Sequence, residues 1–314
     1  MKAIVIHELG DSSKLKYEET EIPKIKEDEI LIKQEAVGLN FVDIYFRTGL
    51  YKSKLPFIPG QEGAGIVEEI GTKVKDFKQE DRVVYLGVMG SYAEFIKIPV
   101  IKAVKLPDEI STKNAAALML QGLTAHYLTH STYPLKKGDS CLIHAAAGGV
   151  GLLLTQIAKI TGAFVIGTTS TLEKAQLAKK AGCDEVIIYS KNDFESEVKR
   201  ITNGKGVKVV YDSVGKDTFD KSLNCLMPRG YIVLFGQASG PVRSFDPQIL
   251  NAKGSLFLTR PSLPHYIQTK KELLERLNEV FDWFISRKVK LLNITEYSSL
   301  RGWNKISYRI TTPK

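Results

Sequence analysis

Short apolar runs divided by turn residues fill the first third of the chain. Runs at 3–6, 29–34, 65–70, 82–86 and 92–96 are punctuated by Pro23, Pro56, Pro59-Gly60, Gly71 and Gly90. Strand-length segments at that spacing predict an all-β, barrel-like domain over residues 1 to about 105. A helical region follows from about Thr112, through Ala115-Ala116-Ala117, to Thr129. From Ser140 the pattern changes. Strands are predicted at 141–145, 163–167, 185–188, 207–211 and 230–235, and helices at 150–161, 172–181, 193–202 and 217–226. That alternation implies a parallel, doubly wound sheet. Gly182, Gly204, Gly206, Gly215 and Gly230 fall at the expected helix stops or strand starts. A long amphipathic helix is predicted near 269–286, followed by a strand-like run at 290–297.

The first strand of the alternating region, Leu142-Ile143-His144, runs into Ala145-Ala146-Ala147-Gly148-Gly149-Val150-Gly151, which opens a helix. Small residues let backbone approach a pyrophosphate, whose charge is met by the N–H groups and positive end of the helix. In an NAD-binding chain the next strand would end in Asp or Glu, to accept a hydrogen bond from the ribose 2′-hydroxyl. Here it ends in Gly167-Thr168-Thr169-Ser170-Thr171-Leu172-Glu173-Lys174. Hydroxyl donors and a lysine suit a 2′-phosphate, so the cofactor expected is NADPH, held by Ala147, Gly148, Gly149, Val150, Thr169, Ser170 and Lys174.

Composition narrows the class. At 314 residues, 43% hydrophobic and 25% charged, the chain reads as a globular protein of about two domains. No N-terminal targeting signal is read after Lys2, and the longest weakly polar run, 141–154, is shorter than the roughly 18 residues a membrane span needs. A cytoplasmic location without membrane association is expected. The net charge of +9 comes from dispersed lysines and arginines rather than an arm or stripe, so it reads as a solvated surface and not a nucleic-acid footprint. Cys141, Cys183 and Cys225 are scattered, with no CxxC, which argues against a disulfide framework or a thiolate zinc site.

With Gly38-Leu39-Asn40-Phe41-Val42-Asp43, Pro59-Gly60-Gln61-Glu62-Gly63-Ala64-Gly65 and Ala147-Gly148-Gly149-Val150-Gly151, the chain resembles the medium-chain dehydrogenase/reductase superfamily. Tyr45-Phe46-Arg47-Thr48-Gly49-Leu50-Tyr51 is similar to its quinone oxidoreductase branch. Gln121-Gly122-Leu123-Thr124-Ala125, Tyr211-Asp212-Ser213-Val214-Gly215 and Thr259-Arg260-Pro261-Ser262-Leu263 match as well. The resemblance covers residues 1 to about 297. It implies an α/β protein with a GroES-like β-rich substrate domain (1–123), a Rossmann NADPH-binding domain (124–257) and a return to the substrate domain (258–314). It also implies an active site in the cleft between domains, and a homodimer through the nucleotide domains.

Zinc members of the superfamily carry a Cys within the segment occupied here by Gly38 to Asp43, and a His before Glu in a GHE motif. This chain has Asn40 and Gln61 in those neighbourhoods, and neutral amides are poor zinc ligands. A metal-independent reaction is therefore expected. Reducing an isolated ketone develops a full alkoxide, which calls for a Lewis acid or a positioned proton donor. A quinone is already electrophilic and yields an aromatic phenolate, so stacking and orientation suffice. The expected activity is NADPH-dependent reduction of a small-molecule quinone, with one- and two-electron routes both open. The alternative is an NADPH-dependent alkenal or enone double-bond reductase. Crystallin-like RNA binding or an impaired catalyst is a further alternative, although no RNP-like aromatic motif supports RNA recognition.

The resemblance puts Asn40 near the nicotinamide ribose, with Phe41 beside it. Asn40, Tyr45 and Tyr51 are the catalytic candidates, the tyrosines lining the cleft, donating to the substrate oxygen or stacking on the acceptor. Arg47 reads as a surface or cleft-rim cation. Thr124, Tyr189, Ser213, Phe235, Gly236, Leu258 and Arg260 complete the cofactor set. His144 reads as structural. From about Ser298 the tail departs from the family pattern, and an altered or truncated end is expected there.

Overall fold

The computed structural model describes residues 1–293, in two compact units: residues 1–120, and residues 121–293. The expected tail from Ser298 lies outside the described residues. Residues 290–293 form no strand, and the rest of the run expected at 290–297 is likewise outside them.

In the first unit β1 (Lys2–Ile6) pairs antiparallel with β2 (Leu15–Glu19). A five-stranded antiparallel sheet is built from β3 (Glu29–Val37), β4 (Glu62–Ile70), β5 (Arg82–Leu86), β6 (Phe95–Pro99) and β7 (Ala103–Lys105), in the order β6-β3-β4-β5-β7. Alternate residues of a strand face opposite sides, and β6 shows it: Ile96 and Ile98 are buried while their neighbours are half-exposed. They pack with Ile30, Ile32, Val67, Val83 and Tyr85 into one core. Gly65 of β4 has no room for a side chain, since a Cβ would sit 2.1 Å from the Lys33 carbonyl oxygen. Between β3 and β4 lies α1 (Phe41–Arg47), a short helix entered at Asn40.

Helix α2 (Thr112–Tyr127) carries the chain from the first unit into the second, where a π-helical turn (Leu128–Thr132) follows it. There β8 (Ser140–Ile143), α3 (Gly149–Ile160), β9 (Phe164–Thr169), α4 (Leu172–Ala181), β10 (Glu185–Ile188), α5 (Phe194–Ile201), β11 (Val207–Asp212), α6 (Phe219–Asn224) and β12 (Leu226–Leu234) alternate as the sequence pattern requires. They are followed by α7 (Gln248–Ala252), β13 (Phe257–Thr259) and α8 (Lys270–Ile285). The six strands are parallel, in the order β10-β9-β8-β11-β12-β13. Burial on both faces explains the apolar runs: Leu142, Ile166, Val210 and Ile232 on one face and Ile143, Tyr211 and Val233 on the other are all fully enclosed. Helix α8 starts at a reciprocal Thr269–Glu272 capping box, which satisfies two otherwise orphaned N–H groups.

The second unit runs to residue 293, and β13 within it pairs with β12. A three-residue strand carries too little periodicity to announce itself.

Candidate functional site

The site elements of the second unit lie at the carboxyl ends of its strands. Chain order reverses between β8 and β11, adjacent strands with helical crossovers leading away in opposite directions, and such a switch point opens a crevice at the strand ends. Ala145 leaves β8 in the left-handed region (φ 52°), and its carbonyl accepts the Gly148 N–H at 2.8 Å. The turn delivers Gly148 as N-cap of α3. At Gly151 a Cβ would lie 2.3 Å from the Ala145 carbonyl oxygen, so only glycine lets the helix start this close to the strand. The first N–H groups of a helix have no intrahelical acceptor and suit an anion there.

The expected 2′-phosphate determinants gather at the end of β9. Lys174 Nζ donates to Ser170 Oγ at 3.1 Å, and Thr171 caps α4. Thr169 is buried, and its carbonyl accepts the N–H of Tyr189, an exposed residue just beyond β10. Ser190 Oγ donates to the Ser170 carbonyl at 2.8 Å, tying the two turns together. Ser213 follows β11, while Phe235 and Gly236 follow β12; both of the latter donate their N–H to the Asp212 carbonyl. Leu258 sits in β13 opposite Ile232, with Arg260 just beyond. Thr124 is buried within α2.

In the first unit Asn40, Phe41, Tyr45 and Tyr51 fall on α1 and its flanks. Tyr45 is buried, its ring edge-on to Tyr51 at 5.2 Å and tilted against Phe41 at 5.8 Å. Asn40 Nδ2 donates to Glu62 Oε1, and the Leu120 N–H donates to Glu62 Oε2 at 2.6 Å. The Asn40 N–H and the Tyr92 hydroxyl both donate to Asp43 Oδ2, at 2.9 and 2.6 Å. Burial pushes the Glu62 carboxyl up to about 8 and that of Asp43 up to about 6, against the lowering effect of these donors. Gly38 is required beside them, because a Cβ there would overlap Glu62 Oε1.

Arg47 corrects the sequence reading. Only 4% exposed, it donates from Nε to the Gly10 carbonyl at 3.3 Å and is no rim cation. The three cysteines are buried, and none is in a disulfide. Sequence reasoning assigned no role to Glu62, Asp43 or Tyr92, although Asn40 and Asp43 carry the three-residue spacing of a helix start.

A β-rich domain joined to a switch-point dinucleotide domain defines a nicotinamide-dependent dehydrogenase or reductase. Residues 26–108 match the alcohol dehydrogenase GroES-like domain, and residues 149–279 match the zinc-binding dehydrogenase family. Quinone oxidoreductase 1 of Escherichia coli is 49% identical over 84% of this chain and 82% of its own length. A 2-haloacrylate reductase of Burkholderia is 43% identical over 89% and 86%. The structure of Escherichia coli quinone oxidoreductase complexed with NADPH superposes with a TM-score of 0.96 at 44% identity, covering 99% of this chain and 96% of that one. The chain belongs to the quinone oxidoreductase family of the medium-chain dehydrogenase/reductase superfamily. Among the described residues no helix is long and apolar enough to cross a membrane.

Proposed function

We propose that this protein is a metal-independent NADPH:quinone reductase, with the acceptor bound in an interdomain cleft. The observation that carries the cofactor reading is the Ser170–Lys174 pair at the end of β9, beside the glycine turn that opens α3. A hydroxyl and an ammonium are donors only a 2′-phosphate uses fully, and the relative solved with NADPH supports the same choice. Bound there, the cofactor supplies the reducing electrons.

The family's zinc chemistry does not fit the residues present. The neighbourhoods of its ligands hold Asn40 and Gln61, and the Asn40 amide is engaged by Glu62. Orientation must therefore do the work: half-buried Tyr51 offers a ring face for a planar acceptor and a phenol proton for its oxygen, the buried Tyr45 ring backs it edge-on, and Glu62 fixes how Asn40 points. A homodimer formed through the second unit and a cytoplasmic location belong to the same reading.

NADPH oxidation with 1,4-benzoquinone, run beside NADH, a 2-alkenal and chelator-treated enzyme, tests it. Chelator-insensitive quinone turnover preferring NADPH is expected. Turnover confined to the alkenal would favour a second reading, reduction of activated double bonds, which the similarity to a 2-haloacrylate reductase supports.

A further inference from the structure

A chain of buried polar side chains runs beneath the strand ends of the second unit. His144, directly after β8, places Nδ1 3.0 Å from Thr168 Oγ1 and Nε2 2.9 Å from Ser222 Oγ. Ser222 Oγ donates in turn to Asp212 Oδ2 at 3.4 Å. Asp212 accepts the Val214 and Gly215 N–H groups at 2.8 and 3.0 Å and the Thr218 hydroxyl on both oxygens. Thr168, His144, Ser222 and Asp212 are each no more than 1% exposed. Histidine, serine and aspartate thus stand in that order, with the serine rather than the imidazole in the middle, and at this depth no substrate reaches Ser222, so nucleophilic catalysis is ruled out.

The chain's ends are informative. Thr168 lies two residues before Ser170, and its carbonyl accepts the N–H of Ala146 in the glycine turn. Asp212 closes the turn that carries Ser213, and its carbonyl anchors Phe235 and Gly236. The imidazole therefore links the turn after β8 directly to the end of β9 and, through Ser222, to Asp212 at the end of β11, the strand ends that lead into residues expected to touch the cofactor. We infer that His144 is a positioning residue for the dinucleotide: it fixes the hydroxyl turn after β9 and the Ser213 turn relative to the glycine turn, so that a single NADPH spans all three. This rests on the cofactor reading above.

Supporting physics is local. Burial holds the His144 ring below its ordinary value despite the opposing Asp212 charge, so it stays neutral and offers one donor and one acceptor, which is what two hydroxyl neighbours can use. A fully satisfied buried network is rigid, whereas removing its centre leaves Thr168 and Ser222 unpaired. Phe194 packs edge-on against the ring at 4.9 Å, so an apolar ring at 144 keeps the packing and loses only the hydrogen bonds.

The test begins with NADPH affinity of the wild type by fluorescence titration, then compares His144→Phe, His144→Asn and Thr168→Val. His144→Phe should raise the NADPH Kd and the KM for NADPH about tenfold, leaving the KM for benzoquinone unchanged. His144→Asn, which keeps a polar atom toward Thr168, should retain more of the NADPH-over-NADH preference than His144→Phe. Thr168→Val, nearly isosteric, should lose that preference and carries the test if His144→Phe does not fold. A wild-type NADPH Kd in His144→Phe or Thr168→Val with only a lowered Tm would overturn the inference. A wild type that binds no NADPH would instead remove the cofactor reading, and this inference with it.

Discussion

The first unit buries carboxyls, Glu62 and Asp43, among amide and hydroxyl donors, while the second buries imidazoles, His126 and His144, among hydroxyls and carboxylates. In both, burial penalises the charged form, so the carboxyls hold protons tightly and the imidazoles refuse them. The same physical penalty therefore weakens the two units in opposite directions of pH, the first as it rises and the second as it falls. A protein built from two cores can have a stability maximum set by one core on each side.

The comparison breaks most completely at glycines. Gly65→Ala in the first unit and Gly151→Ala in the second each drive a Cβ into a backbone oxygen, at 2.1 and 2.3 Å. Each should cost about 3 kcal/mol or more, with Gly65→Ala lowering the Tm and Gly151→Ala also abolishing NADPH binding. Calorimetry with and without NADPH separates them; a Gly151→Ala protein that still gains Tm from NADPH would refute the second half.

Glu62→Gln sharpens the alkaline side. An unfolded Glu ionises near 4.5 and the folded one near 8, so between those values the unfolded chain has released a proton that the native state keeps. Wild-type stability should fall as pH rises through that window, by on the order of 4 kcal/mol, and Glu62→Gln should flatten the decline. Urea midpoints from pH 5 to 9 with equal slopes in both proteins would sink this account.

His126 governs the acid side. It bonds Glu279 at 2.7 Å and stacks on both His130 and Trp283, which also touch each other, with Arg276 alongside, and burial lowers it to about 4 from an ordinary 6.5. The unfolded chain takes up a proton that the native state refuses, so stability should decline as pH falls from 6.5 to 4, by on the order of 3 kcal/mol. His126→Phe should remove that slope, measurable by the same midpoints.

The smallest effect concerns specificity rather than stability. Lys174→Ala should raise the KM for NADPH about tenfold and leave that for NADH unchanged, with no movement in Tm, because the side chain is exposed. An equal rise for both cofactors would dissociate Lys174 from the 2′-phosphate.

Much of the second unit was legible in the sequence because its signals are local. Strand, glycine turn and helix follow one another within a few residues, and β10 and α4 fall where periodicity placed them, at Glu185–Ile188 and Leu172–Ala181. Arg47 was misread because its burial depends on Gly10 and Asp11, far away in sequence. The links from Asn40 to Glu62 and from His144 to Ser222 were equally invisible, since no periodicity couples residues in different elements. β13 escaped notice for the opposite reason: three residues suffice when a neighbouring strand supplies the pairing.

The strand order also has a kinetic side. Cys141 in β8 pairs with nearby Val165 of β9 on one edge but with distant Val209 of β11 on the other. Closing that second edge requires a long loop to be ordered first, which makes it a slow, late event in folding. The glycine turn lies at that seam, so the crevice is complete only once the chain has knitted its two halves together. A ligand that fits the finished crevice stabilises the native state alone, and newly made protein would acquire resistance to proteolysis and the ability to bind its cofactor in the same step.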